Sequence, residues 1–362
     1  MSLLLWILSI PLVFAVLFFS AFIPYIYITW RSRKLPGPDC DFIMGSFPWK
    51  HIQNPTEMMK WMEVKAEEAR ARGEHFIRMR VLCFIATFAI DGEGLKPLLD
   101  SHEEITKGHD YEIMHPWMGD GLLFSTGDKW KARRRMLTPS FHFAVLQGHA
   151  ELIDRHARIL IEMIDEQRHG VVDIYERMRL CALDIICDTA MSYDLGAQRD
   201  PNQPYVKAVG EFNHIASIYA MDPRLHIGPV WWMTYKWRFD ELTRTLKSFT
   251  QRVIETRLWE YDNEEEKGGR KAFLDMLIEM RKNNGLTVED MREEVDTFMF
   301  AGHDTTSSAM TWILWCFATN PAIAKKAHAE VARIFEHSDR ECTMADVSRM
   351  NYLERLASLG MT

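Results

Sequence analysis

The sequence predicts a mainly α-helical protein with a small β part, preceded by an N-terminal transmembrane helix. Apolar residues recur at helical spacing over most of the chain beyond Gly127. Only Phe76 to Ile90 packs Val, Ile, Phe and Thr into a short span, the mark of a small hairpin. Leu3 to Trp30 is an uncharged, almost continuous apolar run, long enough for a bilayer core that takes roughly 20 helical residues.

Trp6 lies near one end of that run and Tyr25, Tyr27 and Trp30 near the other, as interfacial aromatics do. Arg31, Arg33 and Lys34 follow at once and no basic residue precedes it. The positive-inside rule therefore leaves the bulk of the chain in the cytosol. A cleaved signal peptide is the alternative; the length of the run and the missing basic start weigh against it. Residues 1–30 are expected to be the anchor, 31–40 a basic hinge stiffened by Leu35-Pro36-Gly37-Pro38, and 41–362 one domain.

Within the domain, Asn54-Pro55 starts a helix that Gly73 ends. After the hairpin, helices are expected at about Gly127–Leu137, Phe141–Arg168, Val172–Tyr193, Tyr205–Ala220, Trp231–Tyr261, Lys271–Asn283, Val288–Thr319 and Ala322–Phe335. Thr287 with Asp290 reads as a capping box for the longest, and Asn320-Pro321 as its stop. At 1.5 Å per residue that helix is about 48 Å long, a beam across a whole domain. The stretches 196–204 and 264–269 read as surface loops.

With 362 residues, 47% of them hydrophobic, the chain can core one large domain or two modest ones. A net charge of -8 argues against nucleic acid as a partner. Cysteines at 40, 83, 181, 187, 316 and 342 form no CxxC, so small buried thiols in a reducing compartment are expected, with no metal site.

The long helix interrupts its apolar run at Ala301-Gly302-His303-Asp304-Thr305-Thr306. Gly302 costs about 1 kcal/mol there relative to alanine. Asp304 places a charge that is expensive if sealed without a partner. Thr305 can turn its hydroxyl onto the carbonyl of Ala301 and bend the helix. A cap or a hydrogen-bonded core cluster would also use these residues. Upstream, Trp130 and Arg134 share a helical face within Lys129-Trp-Lys-Ala-Arg-Arg-Arg135, a run with no acid. A solvated basic face is the plain reading of it; Lys131, Arg133 and Arg135 would partly face outward and meet an acidic partner. The aromatics between Tyr219 and Trp237 read either as core or as a substrate or membrane surface.

The Ala301-Gly302-x-Asp304-Thr305-Thr306 pattern resembles the oxygen-activation motif of the cytochrome P-450 monooxygenases. Pro116-Trp-Met-Gly-Asp-Gly-Leu-Leu123, Leu137-Thr-Pro-Ser-Phe-His-Phe143 and Met350-Asn-Tyr-Leu-Glu-Arg355 are similar to the microsomal family 4 group, known mainly for fatty-acid hydroxylation. The resemblance implies a cytochrome P-450 fold, incomplete here, and haem as cofactor. It implies that Asp304 and Thr305 act in catalysis by proton relay and hydrogen bonding. Ala301, Gly302 and Thr306 would line the haem, and Trp130 and Arg134 would hold a propionate. It also implies an NADPH-dependent flavoprotein reductase as partner, cytochrome b5 as an optional second donor, a lipophilic substrate, and the endoplasmic reticulum membrane. Ala301 replaces a glutamate that esterifies haem in many family members. The axial cysteine loop expected downstream is not found before Thr362, so no metal ligand is assigned and stable haem binding by this chain is in question. Cys342 ends a Phe335-to-Cys342 stretch that mimics the loop's spacing, but Ser338 within it and Met344 just beyond it stand where glycines are needed. The competing reading is a catalytically inactive, membrane-anchored remnant.

Overall fold

The computed structural model describes residues 23, 26–39, 45–46, 55–81, 84–101, 103, 106–141, 148–167, 169–263 and 272–360. Most of the expected anchor lies outside these residues. Residues 26–32 are helical, and among the described residues no helix is long and apolar enough to cross a membrane. The chain divides into two compact units, Met1–Ile105 with Met221–Ile227, and Thr106–Ala220 with Gly228–Thr362.

In the first unit, α1 (Pro55–Ala71) begins at the expected proline and stops before Gly73, whose φ of +76° suits a residue without a Cβ. Strands β1 (Phe76–Val81) and β2 (Phe84–Ala89) pair antiparallel, with Phe76 opposite Ala89. The Pro-Gly-Pro hinge is tied to β1: the Arg78 amide donates to the Pro36 carbonyl at 2.7 Å and its guanidinium to Pro38 at 2.9 Å. A short helix the sequence did not announce, α2 (Gly92–Leu99), follows with Asp91 as its cap. Pro97 inside it had hidden the pattern.

Among the described residues the regular structure of the second unit is helical: α3 (His115–Met118), α4 (Gly127–Leu137), α5 (Ala150–Asp165), α6 (Ile174–Met191), α7 (Pro204–Met221), α8 (Gly228–Trp231), α9 (Trp237–Asn263), α10 (Phe273–Asn284), α11 (Val288–Thr319), α12 (Pro321–Phe335), α13 (Met344–Val347) and α14 (Asn351–Gly360). Helix α11 has the predicted ends: Thr287 and Asp290 form the capping box and Asn320 closes it. The expected helix from Trp231 is broken by a π-turn at Trp232–Lys236. There the Thr234 hydroxyl donates to the carbonyl of Val230 at 2.7 Å, competing with the backbone ladder. The core is built from α6, α7, α9, α10 and the first half of α11, with Phe212, Leu246, Leu277, Val295 and Met299 fully out of solvent.

Candidate active site

The residues of α11 sort by face. Val295, Met299, His303 and Ser307, at four-residue steps, are buried. Phe298, Ala301 and Thr305 share another stripe that is only partly covered at its start and exposed at Thr305. The motif thus lies where the helix turns from core to open surface. Thr305 donates its hydroxyl to the Ala301 carbonyl at 2.8 Å, as the sequence predicted, and Thr306 beside it is exposed. Asp304 is half-buried rather than sealed, which lowers the expected cost of its charge.

Gly302 is turned toward α6. A Cβ there would come within 2.7 Å of Ile186 Cγ1, so the absent side chain serves the packing of α6 on α11. His303, whose place in the motif carries no sequence signal of its own, is fully buried. Its Nδ1 lies 2.7 Å from the Met299 carbonyl and its Nε2 has no partner among the described residues. Burial holds its pKa below the usual histidine value, so it stays neutral.

Helix α4 divides its charges. The Arg134 guanidinium lies over the Trp130 ring at 5.8 Å and has no acid partner among the described residues. It borders a pocket of about 320 Å³ with Leu122, Leu137, Phe141 and Phe298. Phe298 stacks on Phe141 at 5.2 Å, so the first residue of the open stripe of α11 and the Arg134 cation of α4 line one cavity. Arg133, by contrast, was expected to face partly outward and does not. Its side chain is 9% exposed, pairs with Asp290 and reaches Glu294 at 3.3 Å. An arginine turned inward demands such acids, and both sit on the first turns of α11. Lys131 and Arg135 stay exposed.

Glu294 is fully buried and also accepts the Leu122 amide at 3.1 Å. Burial pushes its pKa up to about 7, against the pull of that amide and of Arg133. The neighbouring Asp120 amide donates to Glu293 at 3.0 Å. Gly121 lies against α11 so closely that a Cβ would meet the Thr297 hydroxyl and come within 2.6 Å of the Glu293 carbonyl oxygen. The Pro116-to-Leu123 motif is therefore the end of α3 and the turn after it, clamped to the long helix. Its glycines were the visible signal of that approach.

Of the described cysteines, Cys181 and Cys187 are buried as expected, but Cys316 is exposed and Cys342 half-buried. Burial, then Asp346 and Asp154, push the Cys342 thiol pKa up, the opposite of what a thiolate ligand needs. No group of acids, histidines and cysteines among the described residues could hold a metal ion. The aromatic region shows both readings side by side. Trp231 packs edge-on to Phe239 at 5.4 Å, while Trp232, Met233 and Trp237 are at least 66% exposed.

The family model for cytochrome P450 matches residues 36–357. Human Cytochrome P450 4V2 is 37% identical over 280 residues, 73% of this chain and 53% of the relative. Cytochrome P450 4c21 of Blattella germanica is 33% identical over 338 residues, 90% of this chain and 66% of the relative. The chain spans about half the length of the first of these curated relatives. The crystal structure of the cytochrome P450DA heme domain superposes with a TM-score of 0.74, covering 90% of this chain and 69% of that one. At 19% identity it speaks for the fold alone. On the match of the family model and these relatives, the chain belongs to the cytochrome P450 family, in its family 4-like branch.

Proposed function

We propose that this chain forms the oxygen-side wall of a haem-thiolate monooxygenase that inserts one atom of O2 into a lipophilic substrate such as a fatty acid. The observation that carries the proposal is the cavity in which Phe298, at the start of the open Phe298–Ala301–Thr305 stripe of α11, meets Arg134, which has no acid partner among the described residues. Haem is the family's cofactor, and these residues fit one face of it: a flat apolar wall and a cation for a propionate. None of the described cysteines fits the axial position. Cys181 and Cys187 are core thiols, Cys342 is tied through its amide to Asp154, and Cys316 lies on α11 itself.

When bound, haem supplies the redox chemistry of oxygen activation. The chain's own part is to orient and to move protons. Thr305 spends its hydroxyl proton on Ala301, which leaves its oxygen as an acceptor for a water on the open face. Asp304, half-buried next to it, can pass protons between solvent and that water. Arg134, braced on Trp130, holds a carboxylate, and Thr306 adds a hydroxyl to the same wall. Exposed Lys131 and Arg135 offer positive charge to an acidic electron donor, an NADPH-dependent flavoprotein reductase or cytochrome b5. Anchorage in the endoplasmic reticulum membrane belongs to the same reading.

The test is a chimaera in which residues 1–355 are continued with the part of human Cytochrome P450 4V2 beyond the match. The expected result is a red-shifted reduced-CO band of thiolate ligation and NADPH-dependent oxidation within a fatty-acid panel. A chimaera that takes up haem yet oxidises no lipophilic substrate would overturn the proposal. Within the chimaera, Thr305→Ala should keep haem content but release peroxide in place of product. Asp304→Asn should slow turnover about 10²–10⁴-fold, the usual worth of a positioned acid–base group. Full coupling in Thr305→Ala would remove the threonine from the mechanism. The chain alone should show no thiolate band.

A further inference from the structure

A second cavity lies away from the α11 stripe, between α9, the start of α7 and the turn after α6. It measures about 410 Å³, inside the roughly 300–1,000 Å³ range of small-molecule pockets. Three rings form its wall: Tyr205 stacks on Phe249 at 4.2 Å, and Tyr193 meets Phe249 edge-on at 5.8 Å. Arg252 is the only charged residue of the lining, and its guanidinium has no partner among the described residues. Thr256 completes the edge one turn further along α9. Its hydroxyl makes no hydrogen bond among the described residues, unlike Thr243, Thr245 and Thr250, which all donate to the carbonyl four residues back.

We propose that this cavity binds a small aryl carboxylate, with the ring on the Tyr193–Phe249–Tyr205 wall and the carboxylate on Arg252 and Thr256. A planar guanidinium matches a carboxylate by two parallel hydrogen bonds, and a ring packs offset or edge-on against an aromatic wall. One cation answers one negative charge, which selects a monoanion over a phosphate dianion. The site is independent of the oxygen-side wall and stands whether or not haem is held.

The probe is 2-naphthoate, titrated against the full chain in lipid nanodiscs and followed by saturation-transfer NMR. Saturable binding is expected, weakened at least tenfold by Arg252→Ala and only partly by Arg252→Lys. Thr256→Trp, at an exposed position that tolerates bulk, should block the cavity and abolish the signal. Arg244→Ala, which removes an exposed charge from the same helix outside the cavity, should leave it unchanged. The proposal is overturned if Arg252→Ala and Thr256→Trp bind like the parent, if Arg244→Ala weakens binding as much as Arg252→Ala, or if inorganic phosphate or octanoate competes as well as 2-naphthoate.

Discussion

Two adjacent arginines on α4 illustrate how differently one residue type can act. Arg133 is shared between Asp290 and Glu294 in the interior, and Arg134 has no acid partner among the described residues and lies over the Trp130 ring. Removing one partner of a buried ion pair leaves an uncompensated charge, at a cost of about 3–5 kcal/mol. Arg133→Ala should therefore lower the thermal midpoint strongly, while Arg134→Ala should hardly change it and instead lower haem content in the chimaera. Equal melting losses for the two variants would contradict this division. Glu294 adds a pH dependence. Its pKa is about 7 in the fold, above the ordinary 4.5. Between those values the folded state holds a proton that the unfolded chain has released. The stability this contributes is complete below about pH 4.5 and is lost as pH rises through 7. Asp296, raised by burial to about 6, acts in the same sense. The unfolding midpoint should fall between pH 5 and 8, and Glu294→Gln should flatten that slope while keeping an acceptor for the Leu122 amide. An unchanged slope in Glu294→Gln would place the titration elsewhere.

The elements meet at two glycines of unlike tolerance. At Gly121 a methyl group would press on the Glu293 carbonyl of α11, a backbone atom that cannot swing aside. Gly121→Ala should destabilise by about 1–3 kcal/mol, the range for overpacking. At Gly302 the obstacle is the Ile186 side chain rather than a backbone atom, a contact that a small shift of its Cγ1 and Cδ1 relieves, and alanine returns about 1 kcal/mol of helix propensity. Gly302→Ala should be close to neutral in a denaturant titration of the same chain. A large loss at Gly302 would mean that Ile186 is locked and that the two helices have no slack. The capping box of α11 and its stop at Asn320 were legible because both are local: a threonine, an aspartate three residues later, an asparagine before a proline. The π-turn at Trp232–Lys236 was not, since it depends on which of two carbonyls one threonine reaches.

For the whole molecule, the proposed orientation on the membrane rests on the basic cluster Arg31 to Lys34, and it carries its own test. Protease added to sealed microsomes should digest the protein beyond residue 40; full protection would reverse the orientation. The far half of α11 leaves Met310, Trp312 and Trp315 exposed by 44%, 61% and 57%. Trp312 and Trp315 meet edge-on at 5.6 Å, and exposed apolar surface of this kind favours association, so the isolated chain should self-associate in detergent-free buffer.

The sequence by itself determined the helical class, the hairpin, the ends of the long helix, the family and the bond from Thr305 to Ala301. Each follows from periodicity, from contacts within a few residues, or from a motif of fixed spacing. The tertiary structure alone decided which way neighbouring charges face. Arg133 and Arg134 are one residue apart, about 100° around a helix, and nothing in their order says that one meets Asp290 and Glu294 more than 150 positions away. It likewise gave Gly302 to Ile186, opened a pocket at Arg252, and placed Cys342 half-buried with its amide on Asp154. Burial and long-range pairing arise only when distant segments pack, and they set the charge, reach and environment of every side chain at the site.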